Sequence, residues 1–446
     1  MNKGNGNGFE VKGAGSGFEQ ANGNGLKYKN TNTLKLDTNA IDAAAVGSQG
    51  VDADLVCLSH LRWDFVTQRP QHLLSRCAQE RRVFYVEEPI FGDELRLDVS
   101  LREEGVHVVV PHLPHDQNTP EASEALQEAM LARLFAEYKI SDHILWYYTP
   151  MPVAWTRHLK PLATVYDCMD ELAAFKFAPA SLREREAELF RRADLVFTGG
   201  QTLYESKRDK HPHVYAFPSS IDRAHFAEAR LDVDDPADQA SIPHPRMGFF
   251  GVVDERLDIE LLDGLAAARP DWHYVIVGPV VKIDPAALPQ HPNIHYLGGK
   301  SYKELPRYIA GWDVAALLFA RNEHTRFISP TKTPEYLAAG KPVVSTSIRD
   351  VVRPYGELGL VEIADTAEDF VRAAEPDMEG RAERKEWLKR VDQFLSNNSW
   401  DRTWSRMSEL IEGVAERRLA ARAQGVPTGQ LVSRAAAAGA YSAAGD

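Results

Sequence analysis

Short apolar runs alternate with amphipathic stretches along most of the chain. Asp54–Leu58 (DLVCL) is a five-residue run of the kind that forms a buried strand. From Arg69 to Glu80 the spacing becomes helical, with Leu73, Leu74 and Cys77 on one face. RVFYV at 82–86, VHVVV at 106–110, HILWYY at 143–148, ATVYDC at 163–168, DLVFTG at 194–199 and HVYAFP at 213–218 are again strand-like. Helical patterns near 121–137 and 181–192 fall between them. Strands of this continuous apolar type, separated by helices, predict a parallel, doubly wound α/β sheet.

The alternation breaks at LDVDDPADQASIPHP, 231–245, which is rich in Asp and Pro and has no period. It then restarts with MGFFGVV, a helix at 258–268, HYVIVGP, NIHYLGG, a helix at 301–309, WDVAALLF, a helix near 333–339, PVVST and GLVEI. The expected organisation is therefore a first α/β domain at 51–230, a linker at 231–245 and a second α/β domain at 246–381. A helical stretch at 382–424 then has to pack back on the domains. Eight of the 30 glycines lie in the first 25 residues. Residues 1–50 and the Ala/Gly-rich 425–446 are expected to be disordered tails, because such compositions cannot offset their ordering entropy. Two Rossmann-like domains facing each other form a cleft at the carboxyl ends of their strands, where ligands bind in sheets of this kind.

Charge and cysteine usage narrow the partners. The net charge of −13 offers no general attraction to nucleic acid. The three cysteines are far apart and form no CxxC pair, as expected of reduced thiols in a cytoplasm. No run of about 18 apolar residues suggests a membrane span, and the N-terminus lacks the apolar core of a signal peptide. A cytoplasmic protein is expected, with membrane contact at most peripheral.

The densest chemistry lies in SPTKTPEYLAAGKPVVST, Ser329–Thr346. Thr333 and Pro334 suit an N-cap and first helical position, and Gly340 suits a left-handed C-terminal stop. A helix start following a sheet strand offers free N–H groups to a diphosphate. Lys332 adds a full charge, and Glu335 is a carboxylate able to accept from two ribose hydroxyls. Taken singly, each is as common on a solvated surface; their combination is the signal.

PEYLAAGKPVVST resembles the E-A-M-A-x-G-x-P-V-V segment of GT-B-fold glycosyltransferases, the retaining group called family 4. The likeness extends over residues 51 to about 415 through GFFG, IVGP, NIHYLGG, YKELPRYIAGWDVAALLF and NNSWDRTWSRM. WDFVTQRPQHLLSR, RVFYVEEPI and YDCMDELAAF are similar to a bacterial branch that makes cell-surface polysaccharides. The resemblance implies that Glu335 holds the donor ribose, and that Lys332, with the backbone around Thr331 and Thr333, holds the diphosphate. It places Arg256 near the family's basic donor residue, with Gly251 of GFFG and Gly278 of IVGP lining the donor side. Three positions depart from the family. Phe327 stands at the first Glu of E-x7-E, Asp258 at a Lys, and the first loop lacks a double glycine. Arg321 and Arg326 are candidates to replace the missing cation.

On the first domain, Asp167 and Asp170 end a strand and are candidates to orient acceptor hydroxyls, unless they only cap the helix that follows. His72 is a catalytic candidate at the start of a helix. Arg69, Gln71 and Trp63 are candidates for acceptor contacts, with Trp63 equally able to sit in the core. The expected activity is sugar transfer from a nucleotide diphosphate sugar to a saccharide or lipid-linked saccharide hydroxyl, with no cofactor and no metal. Two other classes stay open: a nucleotide-sugar epimerase on the same fold, and a noncatalytic nucleotide-sugar binder.

Overall fold

The computed structural model describes residues 50–425, apart from 176, 177, 324 and 382. The expected tails at 1–50 and 425–446 lie, but for residues 50 and 425, outside the described residues. The first sheet comprises β1 (Asp54–Leu58), β2 (Val83–Val86), β3 (Ile90–Gly92), β4 (Arg96–Leu101), β5 (Val106–Pro114), β6 (His143–Tyr147), β7 (Ala163–Cys168), β8 (Leu195–Thr198) and β9 (Val214–Ala216). Its order is β3-β5-β2-β1-β6-β7-β8-β9, all parallel, with β4 added antiparallel along β5. The second sheet comprises β10 (Arg246–Phe250), β11 (His273–Val277), β12 (Ile294–Gly298), β13 (Val314–Leu317), β14 (Val343–Ser345) and β15 (Glu362–Ile363), in the parallel order β12-β11-β10-β13-β14-β15.

The central strands are apolar on both faces because helices cover both faces. Strands β1, β2, β6, β7 and β8 are buried along their whole length. The antiparallel β4 departs from the expected all-parallel pattern. Its sequence RLDVSL is exposed or half-exposed throughout, as is that of β3, so neither carries the buried apolar run of the central strands.

Residues 231–245 are less of a free linker than their composition predicts. Asp235 pairs with the buried Arg246 at 2.6 Å. The buried Gln239 donates to Tyr308 O and accepts from Trp312 Nε1, both at 3.0 Å. The helical stretch after 382 is two helices, Lys385–Leu395 and Trp400–Ala423, the second capped by Ser399. The first buries Val391 and Leu395 against the second sheet. The second returns to the first sheet, burying Trp400, Trp404, Met407 and Ile411 there.

Candidate functional site

The carboxyl ends of β10, β11 and β13 converge with the helix Lys332–Ala338. Two glycines make this approach possible. Gly278, at φ +152°, lies so near Gly251 that a Cβ would sit 1.8 Å from the Gly251 carbonyl oxygen. Gly251, at φ +140°, lies under the Lys332 stem, where a Cβ would sit 2.2 Å from Lys332 Cε. The Lys332 ammonium stands 5.8–5.9 Å from the centres of three rings, Phe249, Phe250 and Phe319. Among the described residues no carboxylate comes within ion-pair distance of it. Burial pushes the Lys332 amine down to about 8, with Glu335 opposing and Arg256 assisting.

One turn on, Glu335 is 7 % exposed, and its Oε2 is buried with no hydrogen-bond partner. Burial pushes this carboxyl up to about 8, against the pull of Lys332. The Thr333 hydroxyl is also buried without a partner. It does not cap the helix as expected: the helix begins earlier, with Thr331 at the cap position and no side-chain cap bond. Gly340 takes φ +73°, the left-handed stop expected of it. An unpaired ammonium, an orphaned carboxylate oxygen and an orphaned hydroxyl thus gather at one corner. Buried polar groups are normally paired, so this grouping marks the corner as the candidate donor site.

The other cations predicted for this site sit differently. Arg256 is held by the buried Asp254 at 2.7–3.1 Å, so its charge is largely compensated. Asp258 caps the helix Ile259–Ala268 through Leu261 N at 2.9 Å, which explains a carboxylate at that position. Arg321 pairs with Asp365 at 3.1 Å, and Arg326 lies 3.8 Å from Glu323. Both arginines line a separate cavity of about 570 Å³ with Thr202, Glu205 and Arg349, away from the Lys332–Glu335 corner. Phe327, in place of a glutamate, packs against the core of the first domain.

On the first domain the structure overturns several expectations. Asp167 is fully buried and bound by Arg69, itself 2 % exposed, through bonds of 2.8–3.1 Å. Each is occupied by the other, and together they tie the helix Arg69–Cys77 to β7. Trp63 is a core residue set edge-on to Tyr85, so it is not a sugar platform. Gln71 is spent on the helix start, accepting from Gln68 N and donating to Trp63 O. His72 stacks on Trp400 at 4.7 Å and meets Tyr302 edge-on, and burial pushes it down to about 3. Its ring packs between these two aromatic side chains.

Asp170 does face the cleft. Burial pushes it up to about 6, while Arg256 and Lys282 of the second domain pull it down and Asp254 pushes it up. A further candidate, unmarked in the sequence, shares the neighbour Lys282. His60 follows β1, its Nδ1 has no partner, and burial with Lys282 pushes it down to about 4. Its position just past a strand's carboxyl end was the available signal. Lys282 stands 5.8 Å from the Phe175 ring, in a left-handed backbone conformation at φ +62°.

Residues 246–376 match the family model described as glycosyl transferases group 1. A Bacillus subtilis protein described as a teichuronic acid biosynthesis glycosyltransferase, TuaH, is 26% identical over 235 residues, which is 47% of this chain. The chain covers 57% of that relative's length. Among solved structures, a sucrose-phosphate synthase from Thermosynechococcus elongatus superposes with a TM-score of 0.60 at 14% identity. The match covers 83% of this chain and 100% of that one. A UDP-forming trehalose-phosphate synthase from Burkholderia xenovorans, in complex with glucose-6-phosphate, gives 0.60 at 12% identity over 80% of this chain and 100% of that one. Anabaena HepE in complex with UDP and glucose gives 0.56 at 14%, over 80% of this chain and 98% of that one. These likenesses carry the fold, the two-domain GT-B architecture. Within it, residues 246–376 are the part that resembles the group 1 glycosyl transferases.

Proposed function

We propose that the protein transfers a sugar from a nucleoside diphosphate sugar to a hydroxyl acceptor, with retention of anomeric configuration, in the making of a cell-surface polysaccharide. The observation that carries this reading is the orphaned Glu335 Oε2 beside the unpaired Lys332 ammonium. Glu335 accepts the two ribose hydroxyls, and Lys332 meets the diphosphate. The anionic ligand restores the charge that burial withdraws from Lys332. Gly251 and Gly278 let the backbone approach the nucleotide closely.

The acceptor binds on the first domain, where Asp170 orients its hydroxyl and His60 offers a neutral ring nitrogen. The acceptor oxygen forms the new glycosidic bond as the bond from the sugar carbon to the phosphate oxygen breaks. The acceptor proton passes to a phosphate oxygen on the same face, so no protein base is required. Lys332 stabilises the departing diphosphate, a group on which charge builds in the transition state. Closure of the domains keeps water from the donor. The surface-polysaccharide role and a saccharide or lipid-linked acceptor are favoured by the name of the Bacillus relative. A lipid-linked acceptor would bring peripheral contact with the inner face of the membrane.

Calorimetric titration with a panel of nucleoside diphosphates and their sugars tests the site. Glu335→Ala is expected to weaken binding about tenfold or more, the scale of lost bonds to a charged acceptor. Unchanged affinity in that variant would remove the site from the proposal. Incubation with labelled donor alone separates transfer from epimerisation, since an epimerase converts donor to a new nucleotide sugar without acceptor.

A further inference from the structure

The helix Gln201–Lys207 starts at Gly200, which has no side chain to cap it. The cap comes from the other domain. Asp350, in the turn Arg349–Val351 after β14, accepts from Gln201 N at 2.8 Å, Thr202 N at 3.0 Å and Thr202 Oγ1 at 2.5 Å. The carboxylate is 7 % exposed, and its charge suits the positive end of a helix. Gly200 is required by the contact: a Cβ there would sit 2.4 Å from Asp350 Oδ2 and 2.6 Å from Ser329 Cβ. Ser329 belongs to the loop that leads into Lys332. At the rim, Arg349 and Glu205 pair at 2.5 Å across the same boundary.

We propose that Asp350 is a positioning residue, a clasp between the domains that sets the spacing between the Lys332–Glu335 corner and the Asp170 face. The chemistry suits a contact that opens and closes. On separation, water solvates the freed N–H groups and the carboxylate alike, so the net worth of the bonds is modest. Lids and closing domains need such reversible contacts for product release. The catalytic consequence rests on the glycosyl-transfer reading; the clasp itself does not.

Spin labels at Arg191→Cys on the first domain and Glu368→Cys on the second read the domain separation in the full chain. Both positions are exposed, whereas Cys57, Cys77 and Cys168 are buried. The parent protein is expected to give one dominant short distance. Asp350→Asn removes the charge and one acceptor, and Gly200→Ala wedges the contact from the opposite side. Each is expected to raise the longer-distance population about tenfold. In Asp350→Asn, affinity for the nucleoside diphosphate that the parent binds should stay within about twofold, because Asp350 touches neither Lys332 nor Glu335, while turnover falls with the closed fraction. Unchanged distance distributions in the two folded variants overturn the clasp. Should Asp350→Asn fail to fold, the Gly200→Ala distribution decides alone. Absence of binding by every nucleoside diphosphate of the panel in the parent protein would sink the functional reading and leave the distance result standing.

Discussion

Arg69 and Asp167 form a buried pair, the guanidinium donating three hydrogen bonds to the carboxylate and a fourth to Phe217 O at 2.7 Å. The pair lies under the cleft and joins three segments of the first domain. Removing one member strands the other charge in a dry interior. Asp167→Ala is therefore expected to cost about 3–5 kcal/mol of stability. Urea denaturation checks this: the midpoint should fall steeply with the slope unchanged. An Asp167→Ala protein of full stability but without turnover would restore the catalytic role that the burial denies it.

Gly251 governs where the Lys332 ammonium sits. In Gly251→Ala the new methyl would meet Lys332 Cε at 2.2 Å and Nζ at 2.6 Å, in a backbone conformation that alanine rarely adopts. The lysine head must swing off its three-ring platform. Affinity for a nucleoside diphosphate is expected to fall roughly tenfold or more. Gly299→Ala is the control, since a Cβ there meets nothing closer than 3.7 Å. Equal affinities in the two variants would separate Lys332 from the diphosphate.

The fold was legible because buried parallel strands are written as apolar runs, and DLVCL, RMGFF and HYVIV fall where strands form. The candidate corner stands out in the sequence for a related reason: Lys332, Glu335 and Gly340 lie within one short segment, so their spacing survives without the fold. Arg69 and Asp167 are separated by 98 positions, and nothing local says that one satisfies the other. Polar residues near strand ends look alike in sequence whether they face the cleft, as Asp170 does, or each other. His60 was passed over because an isolated histidine carries no pattern. The Asp350 cap was invisible because its helix partner lies 148–149 positions away, in the other domain.

Asp170 should set the acid side of the activity profile. Burial pushes its carboxyl up to about 6, so it is charged above that pH and neutral below it. If the carboxylate orients the acceptor hydroxyl, kcat/KM is expected to fall as pH drops through about 6. Asp170→Asn should lower the plateau about 100-fold and flatten that limb. Initial rates from pH 5 to 8 check both effects. An acid limb that persists unchanged in the variant assigns it to another group.

His72 should reveal itself in stability instead of catalysis. Its folded-state value near 3 lies far below the ordinary histidine value of about 6.5, chiefly through burial and secondarily through Arg76 and His225. Between those two limits the unfolded chain binds the proton and the folded chain refuses it. The neutral ring's contribution is thus complete above pH 6.5 and drains away as pH falls toward 3. His72→Phe keeps an aromatic ring against Trp400 and has nothing to protonate. Relative to the parent it is expected to gain roughly 1–2 kcal/mol on moving from pH 7.5 to 4.5, after allowance for the partial exposure of the ring. Chemical denaturation at the two pH values measures that difference. A stability gap independent of pH would mean that His72 binds its proton as readily in the fold as in the unfolded chain, which would reopen its candidacy as an acid or base.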